Sequence, residues 1–290
     1  MNTLTTLWHN LSVRSGGAVL ILLLCLGGLA PLLGTFDPTT MDYNFISVAA
    51  GTRGEVTLVD GEVIPHLFLM GSDSMGRDIW SRVLFGTRIS LLVGVATALI
   101  AVAGGSLLGM LAGYYRRLDM ILMRIVDGMM AIPSVLLAIT LVAMLGASLP
   151  TVVLAIAIPE VPRVTRLVRS LVISLRDEPF VEAARTMATP SITILWRDIL
   201  PNALAPILVQ GTFIAASAII TEAILSFLGL GLPADIPTWG NIMSEGRIQF
   251  AQHPGNVLFP ALFLVPAVLA FNLLGDGLRD VFDPKLARRA

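Results

Sequence analysis

The chain has 290 residues, of which 55% are hydrophobic and only 13% charged, with a formal net charge of −1. Soluble domains carry about a quarter of their residues as charges. The deficit excludes an ordinary soluble globule, which must cover its surface with polar side chains. The near-neutral total gives no electrostatic case for nucleic acid, and lipid is the solvent such a composition fits.

A membrane-spanning helix needs about 20 mostly apolar residues. Six segments meet or approach this: 17–34, 89–113, 122–146, 149–170, 203–228 and 256–276. The first follows Arg14 and resembles a signal peptide, but no small-x-small cleavage pattern closes it, so it reads as a retained helix. The single cysteine, Cys25, lies in Leu22-Leu23-Leu24-Cys25. One cysteine makes neither an internal disulfide nor a zinc site. Leu24 is too large for the residue before an acylated cysteine, which favours a lipid-facing or packed thiol.

Residues 35–88 are too polar to span. The alternation Glu55-Val56-Thr57-Leu58-Val59 before Asp60-Gly61 predicts a small β-hairpin with an Asp-Gly turn. His66 and His253 read as surface residues of outer loops. In the second apolar segment, Gly105 and Gly109 form a small-xxx-small pair. It either permits close helix packing or reflects the general frequency of glycine in membrane helices. Pro133, Pro159, Pro162, Pro206, Pro260 and Pro266 predict kinked helices around a pathway.

Three carboxylates fall in or near the apolar segments, where they are expected to face protein or water. Asp127 has Arg124 three residues before it and is expected to pair with it. Glu160 lies between Pro159 and Pro162, where an unwound turn would expose it to a pathway. Glu222 is expected to face the bundle or a partner chain. With the N-terminus placed inside, fourteen Lys and Arg residues fall on inner segments and five on outer ones. This bias predicts six helices with both termini cytoplasmic.

The polar stretch 171–202 lies inside. Pro179, preceded by Asp177-Glu178, suits the first turn of a helix, and Phe180, Ala184 and Met187 fall on one face. Thr189 is a candidate N-cap for a second short helix with Ile192, Leu195, Trp196 and Ile199 on its apolar face, closed by Pro201. Such a helix can pack under its own bundle, lie on lipid, or dock in a partner's groove.

The order Glu182-Ala183-Ala184 … Leu200-Pro201 resembles the EAA loop of binding-protein-dependent ABC transporter permeases. The usual glycine of that loop falls on Ala188, and the usual isoleucine two before the leucine on Asp198. Further blocks are similar to the dipeptide, oligopeptide and nickel permease branch: Gly71–Arg82, Gly86–Gly94, Ser226–Gly231, Pro237–Gly240, Phe271–Asp280 and Asp283–Leu286. The resemblance implies an all-α membrane protein of six transmembrane helices in a type I importer permease fold. It implies a first unit 1–34, a small extracytoplasmic insertion 35–88, a core 89–280 and a cytoplasmic tail 281–290. It further implies a bacterial inner-membrane subunit moving peptides or similar small solutes inward.

The loop residues Glu182, Ala183, Ala184, Ala188, Leu200 and Pro201 would couple to an ATPase, with Glu182 as anchor. Glu160 and Glu222 are candidates for the pathway or an interface. The implied partners are a second, homologous permease, two ATP-binding subunits and an extracytoplasmic solute-binding protein. A nucleotide P-loop needs a glycine-rich turn and a lysine on the phosphates. The one lysine, Lys285, has no such loop before it, so ATP and Mg belong to the partners and no cofactor or metal to this chain. No nucleophile–base constellation is present either, so no enzyme chemistry is expected. The alternative is an ion-coupled secondary transporter working through Glu160 or Glu222.

Overall fold

The computed structural model describes residues 10–58 and 61–282. Asp60 of the expected turn and the Asp283–Leu286 block lie outside the described residues. Helix α1 (Leu11–Gly28) starts on Asn10, whose side chain accepts the N–H groups of Ser12 and Val13 at 2.9 and 3.2 Å. It therefore begins six residues before the apolar run, because an Asx cap satisfies otherwise orphaned donors. A loop with two short 3₁₀ turns leads to an antiparallel hairpin, β1 (Thr52–Thr57) and β2 (Val63–Phe68), with Thr52 opposite Phe68 and Thr57 opposite Val63. Gly61 adopts φ +85° at the turn.

Helix α2 (Ile79–Tyr114) has 36 residues, about 54 Å at 1.5 Å per residue. It starts ten residues before the apolar segment at 89. Asp78 caps it, accepting the Ser81 N–H at 2.8 Å, and caps are invisible to hydropathy. The expected single helix over 122–146 is two: α3 (Arg116–Met130) and α4 (Ser134–Leu145), bent by 88°. Pro133 sits at the break, where its ring and missing N–H stop the helix before it.

Helix α5 (Leu149–Leu175) runs through Pro159 and Pro162 without unwinding. Helix α6 (Pro179–Thr186) is short. The expected second short helix is instead the start of α7 (Ser191–Phe227), 37 residues that pass straight through Pro201. Residues Ile194–Ile199 are π-helical, with the Leu200 N–H bonded to the Leu195 carbonyl. The wider turn relieves the clash that a proline ring makes with the carbonyl four residues back. Helices α8 (Trp239–Gly246) and α9 (Gly255–Phe282) complete the chain.

The core is a helical bundle in which α2 packs on α5 and α7, and α9 packs on α1 and α7. The α2–α5 contact decides the role of the glycines. A Cβ on Gly105, Gly109 or Gly113 would lie 2.4, 2.7 or 2.6 Å from the nearest atom of α5. These positions are backbone-to-side-chain contacts that only glycine allows. Among the described residues, α1, α2, α7 and α9 are each long and apolar enough to cross a membrane, and α3 with α4 makes a fifth candidate. Helix α5 is long enough but carries Glu160, Arg163, Arg166 and Arg169.

Candidate functional site

The loop after α5 forms one exposed surface at one end of the bundle. Helix α6 buries Val181 and Ala184 in the same apolar cluster as Ile194, Leu195 and Ile199 of the π segment. Its other side exposes Phe180, Glu182, Ala183 and Met187, and Ile192 and Trp196 of α7 are exposed beside them. The expected face of Phe180, Ala184 and Met187 is thus corrected. Ala184 points in, the two large side chains point out, and Val181 is the residue that seats the helix. Six exposed residues, four of them large and apolar, are left without a cover.

The end of α6 is built on Ala188. Its φ is +55°, with the Ala188 N–H donating to Arg185 O at 3.0 Å and the Thr189 N–H to Ala184 O at 3.1 Å. This is the Schellman pattern, in which the left-handed position is normally glycine. Alanine here takes the glycine conformation rather than avoiding it. Thr189 is not an N-cap: α7 starts after Pro190 with no side-chain cap. Glu182 makes no ion pair with Arg185, whose guanidinium instead lies 5.3 Å from the Tyr114 ring centre. Leu200 packs on the core cluster, and Pro201 is exposed.

Glu160 and Glu222 are not on an exposed face. Glu160 is buried in a continuous helix and its Oε2 accepts from Arg163 Nη1 at 2.8 Å, so the unwound turn expected around it is absent. Glu222 is 1% exposed. Its Oε1 accepts from Ser226 Oγ and Thr238 Oγ1, both at 2.9 Å. Gly240 allows this approach: a Cβ there would lie 2.7 Å from Ala223 Cα and 2.8 Å from Glu222 Oε2. Glu222 therefore ties α7 to α8. Asp127 pairs with Arg166 of α5 at 2.6 Å, not with Arg124, because α3 turns that side toward α5.

A buried charge cluster at the opposite end escaped the sequence reading. Arg77 Nε bonds Asp73 Oδ2 at 2.7 Å and its Nη2 bonds Glu245 Oε2 at 2.5 Å. Arg82 Nη1 donates to the same two carboxylates. Asp73 Oδ1 accepts the backbone N–H groups of Met75 and Arg77. Gly76, at φ +76°, makes the turn and passes so close to Asp42 that no side chain fits. His66, expected at the surface, has its side chain packed between Phe36 and Phe68, with Nε2 3.6 Å from Asp78 Oδ1. The available signal was the run Asp73-Ser-Met-Gly-Arg77 with its glycine, which hydropathy treats as plain loop.

The arrangement is that of a polytopic membrane subunit with an uncovered, largely apolar face at one end. The fold agrees with a solved chain from the inward-facing MetNI methionine ABC transporter, at a TM-score of 0.58 and 18% identity over 71% of this chain and 98% of that one. Residues 105–288 match the family described as binding-protein-dependent transport system inner membrane component. A putative peptide transport system permease protein of Brucella abortus is 39% identical, covering 98% of this chain and 91% of that one. The dipeptide transport system permease protein DppC of Alkalihalophilus pseudofirmus is 48% identical, over 88% and 82%. The glutathione transport system permease protein GsiD of Pectobacterium atrosepticum is 47% identical, over 75% and 72%. The chain belongs to this family: it is a membrane permease subunit of a binding-protein-dependent ABC importer. Such permeases have no ATP-binding domain of their own, and the ATPase activity resides in partner subunits.

Proposed function

We propose that this subunit forms half of a permease pair that moves peptides or similar small solutes inward, and that α6 is the element through which ATP hydrolysis drives it. The observation that carries the proposal is the division of α6 into a seated face, Val181 and Ala184, and an open face bearing Phe180, Glu182, Ala183 and Met187. A seated helix moves with the bundle, and an open face accepts a groove. The partners are a second permease, two ATP-binding subunits that hold ATP and Mg, and an extracytoplasmic solute-binding protein. The end carrying α6 and both termini is cytoplasmic, and α5 is the sixth span, with Glu160 buried against Arg163, Arg169 paired with Asp119, and Arg163 and Arg166 themselves exposed. The hairpin region is then an outer insertion. The peptide assignment rests on the names of the relatives above.

The test is the charge reversal Glu182→Arg in the assembled importer. Solute import and binding-protein-stimulated ATP hydrolysis are expected to fall together. If both rates survive unchanged, Glu182 does not anchor the ATPase.

A further inference from the structure

Helix α3 has a third face that neither the bundle nor the coupling surface uses. Its packed side buries Val126 and is tied to α5 by Asp119 against Arg169 and by Asp127 against Arg166. At about 100° per residue, Arg116, Arg124 and Arg117 fall on an arc of about 100°, which also holds the exposed Met120 and, near its Arg116 edge, Asp127 in its pair with Arg166; Ile121, Ile125 and Leu118 span about 60° beyond Arg117. These three arginines and three apolar residues are all exposed, Ile121 by 62% and Ile125 by 57%. The three arginines have no ion pair or hydrogen bond among the described residues. Helix α3 follows directly on Tyr114, which meets Arg185 of α6, so it lies at the α6 end of the bundle. The 88° bend sets its axis across α4. Helix α4, the apolar half of the bent pair, then carries the chain from that end into the bilayer.

We propose that α3 lies along the membrane surface, with Leu118, Ile121 and Ile125 among the acyl chains and Arg116, Arg117 and Arg124 on the phosphates of anionic phospholipids. A helix with adjacent apolar and basic strips suits this boundary, where both environments lie within a few ångströms. An acidic protein surface would pair the arginines and leave the apolar strip to be covered by something else. Which leaflet this is follows from the orientation proposed above; the contact itself does not.

The test uses the assembled importer with Ile121→Trp, reconstituted with brominated phosphatidylcholine or brominated phosphatidylglycerol. Fluorescence is read as the excess over the parent protein. Both lipids are expected to quench, with phosphatidylglycerol preferred by about fivefold for each arginine engaged. Adding Arg116→Gln, Arg117→Gln and Arg124→Gln is expected to remove the preference and leave quenching by phosphatidylcholine. Absence of quenching by either lipid would mean that an ATPase or the second permease covers the helix. Equal quenching by both would mean that the arginines do not read the headgroup. Either result overturns the proposal. Labelling single cysteines from each side of the membrane tests the orientation separately, so the two failures are distinguishable.

Discussion

Ala188→Gly removes one methyl group from an exposed residue, and it is expected to stabilise the end of α6. The left-handed conformation costs an L-residue about 1–2 kcal/mol. Ala188 adopts it at φ +55° to close the Schellman pair of hydrogen bonds. Glycine removes that penalty but loses about 0.4–1 kcal/mol more backbone entropy on ordering. The balance is a gain of about 0.5–1 kcal/mol, a two- to fivefold drop in the opening constant of the turn. Since Ala188 is exposed, no packing change offsets this. Hydrogen exchange of the amides from Val181 to Thr189 reads it directly, in the assembled complex. Slower exchange by that factor is expected for Ala188→Gly, and faster exchange for Ala188→Val, where a branched side chain meets the same φ. Unchanged or faster exchange in the glycine variant would refute the left-handed cap.

Three further outcomes follow from the packing. Gly109→Val places a Cβ 2.7 Å from the Thr165 carbonyl and is expected to cost about 1–3 kcal/mol. A lowered unfolding midpoint in detergent checks it, with Gly17→Ala as a control expected not to lower it, because nothing lies within 4 Å of that position and alanine favours the helix. Glu245→Gln leaves Arg77 and Arg82 facing one carboxylate. Because Glu245 keeps 23% exposure, the loss is about 1–3 kcal/mol rather than the full cost of a buried orphan charge. Adding Arg82→Gln should restore part of it in the same thermal assay, and strict additivity would sink the cluster. Deleting Trp196 removes the extra residue of the π segment and turns the start of α7 by about 100° against the rest. Protection of α6 in hydrogen exchange should then collapse, because Ile194, Leu195 and Ile199 leave Val181 and Ala184; retained protection would show that the π turn is not what seats α6.

Long apolar helices were legible because hydropathy reports the solvent, and here the solvent is lipid. The loop 171–202 was legible by resemblance, and its first helix by Pro179 and the spacing of its side chains. What hydropathy missed are features set by single polar contacts. The start of α2 at Ile79 depends on Asp78. The division of 122–146 turns on Pro133, which the sequence marks only as a possible kink. The continuity of α7 through Pro201 depends on a π turn that no periodicity announces. Glu160 and Glu222 stood out as charges in apolar segments, but their direction depends on partners far along the chain or one turn away. Glu222 needs Thr238, sixteen residues on, and the glycine at 240 that lets the two helices meet.

The arginines give the orientation argument more physical content than a count does. Five lie on the segments assigned outside. Arg77 and Arg82 are neutralised by Asp73 and Glu245. Arg88 donates to the Gly27 and Gly28 carbonyls at the end of α1, and Arg247 to the Phe227 carbonyl at the end of α7. A helix end in a membrane protein has carbonyls that lipid cannot satisfy, and a cation at the negative end of the dipole is the favourable partner. Arg53 alone of the five makes no such contact. At the other end Arg14, Arg116, Arg117, Arg124, Arg197 and Arg279 hold no side-chain partner among the described residues. A charge neutralised by its own chain says little about which side of a membrane it occupies, and an unpaired one says more. Weighting the arginines in this way sharpens the bias from about three to one to six unpaired cations against one among the described residues. It is the same end that carries α6, which favours the cytoplasmic orientation proposed above for that end.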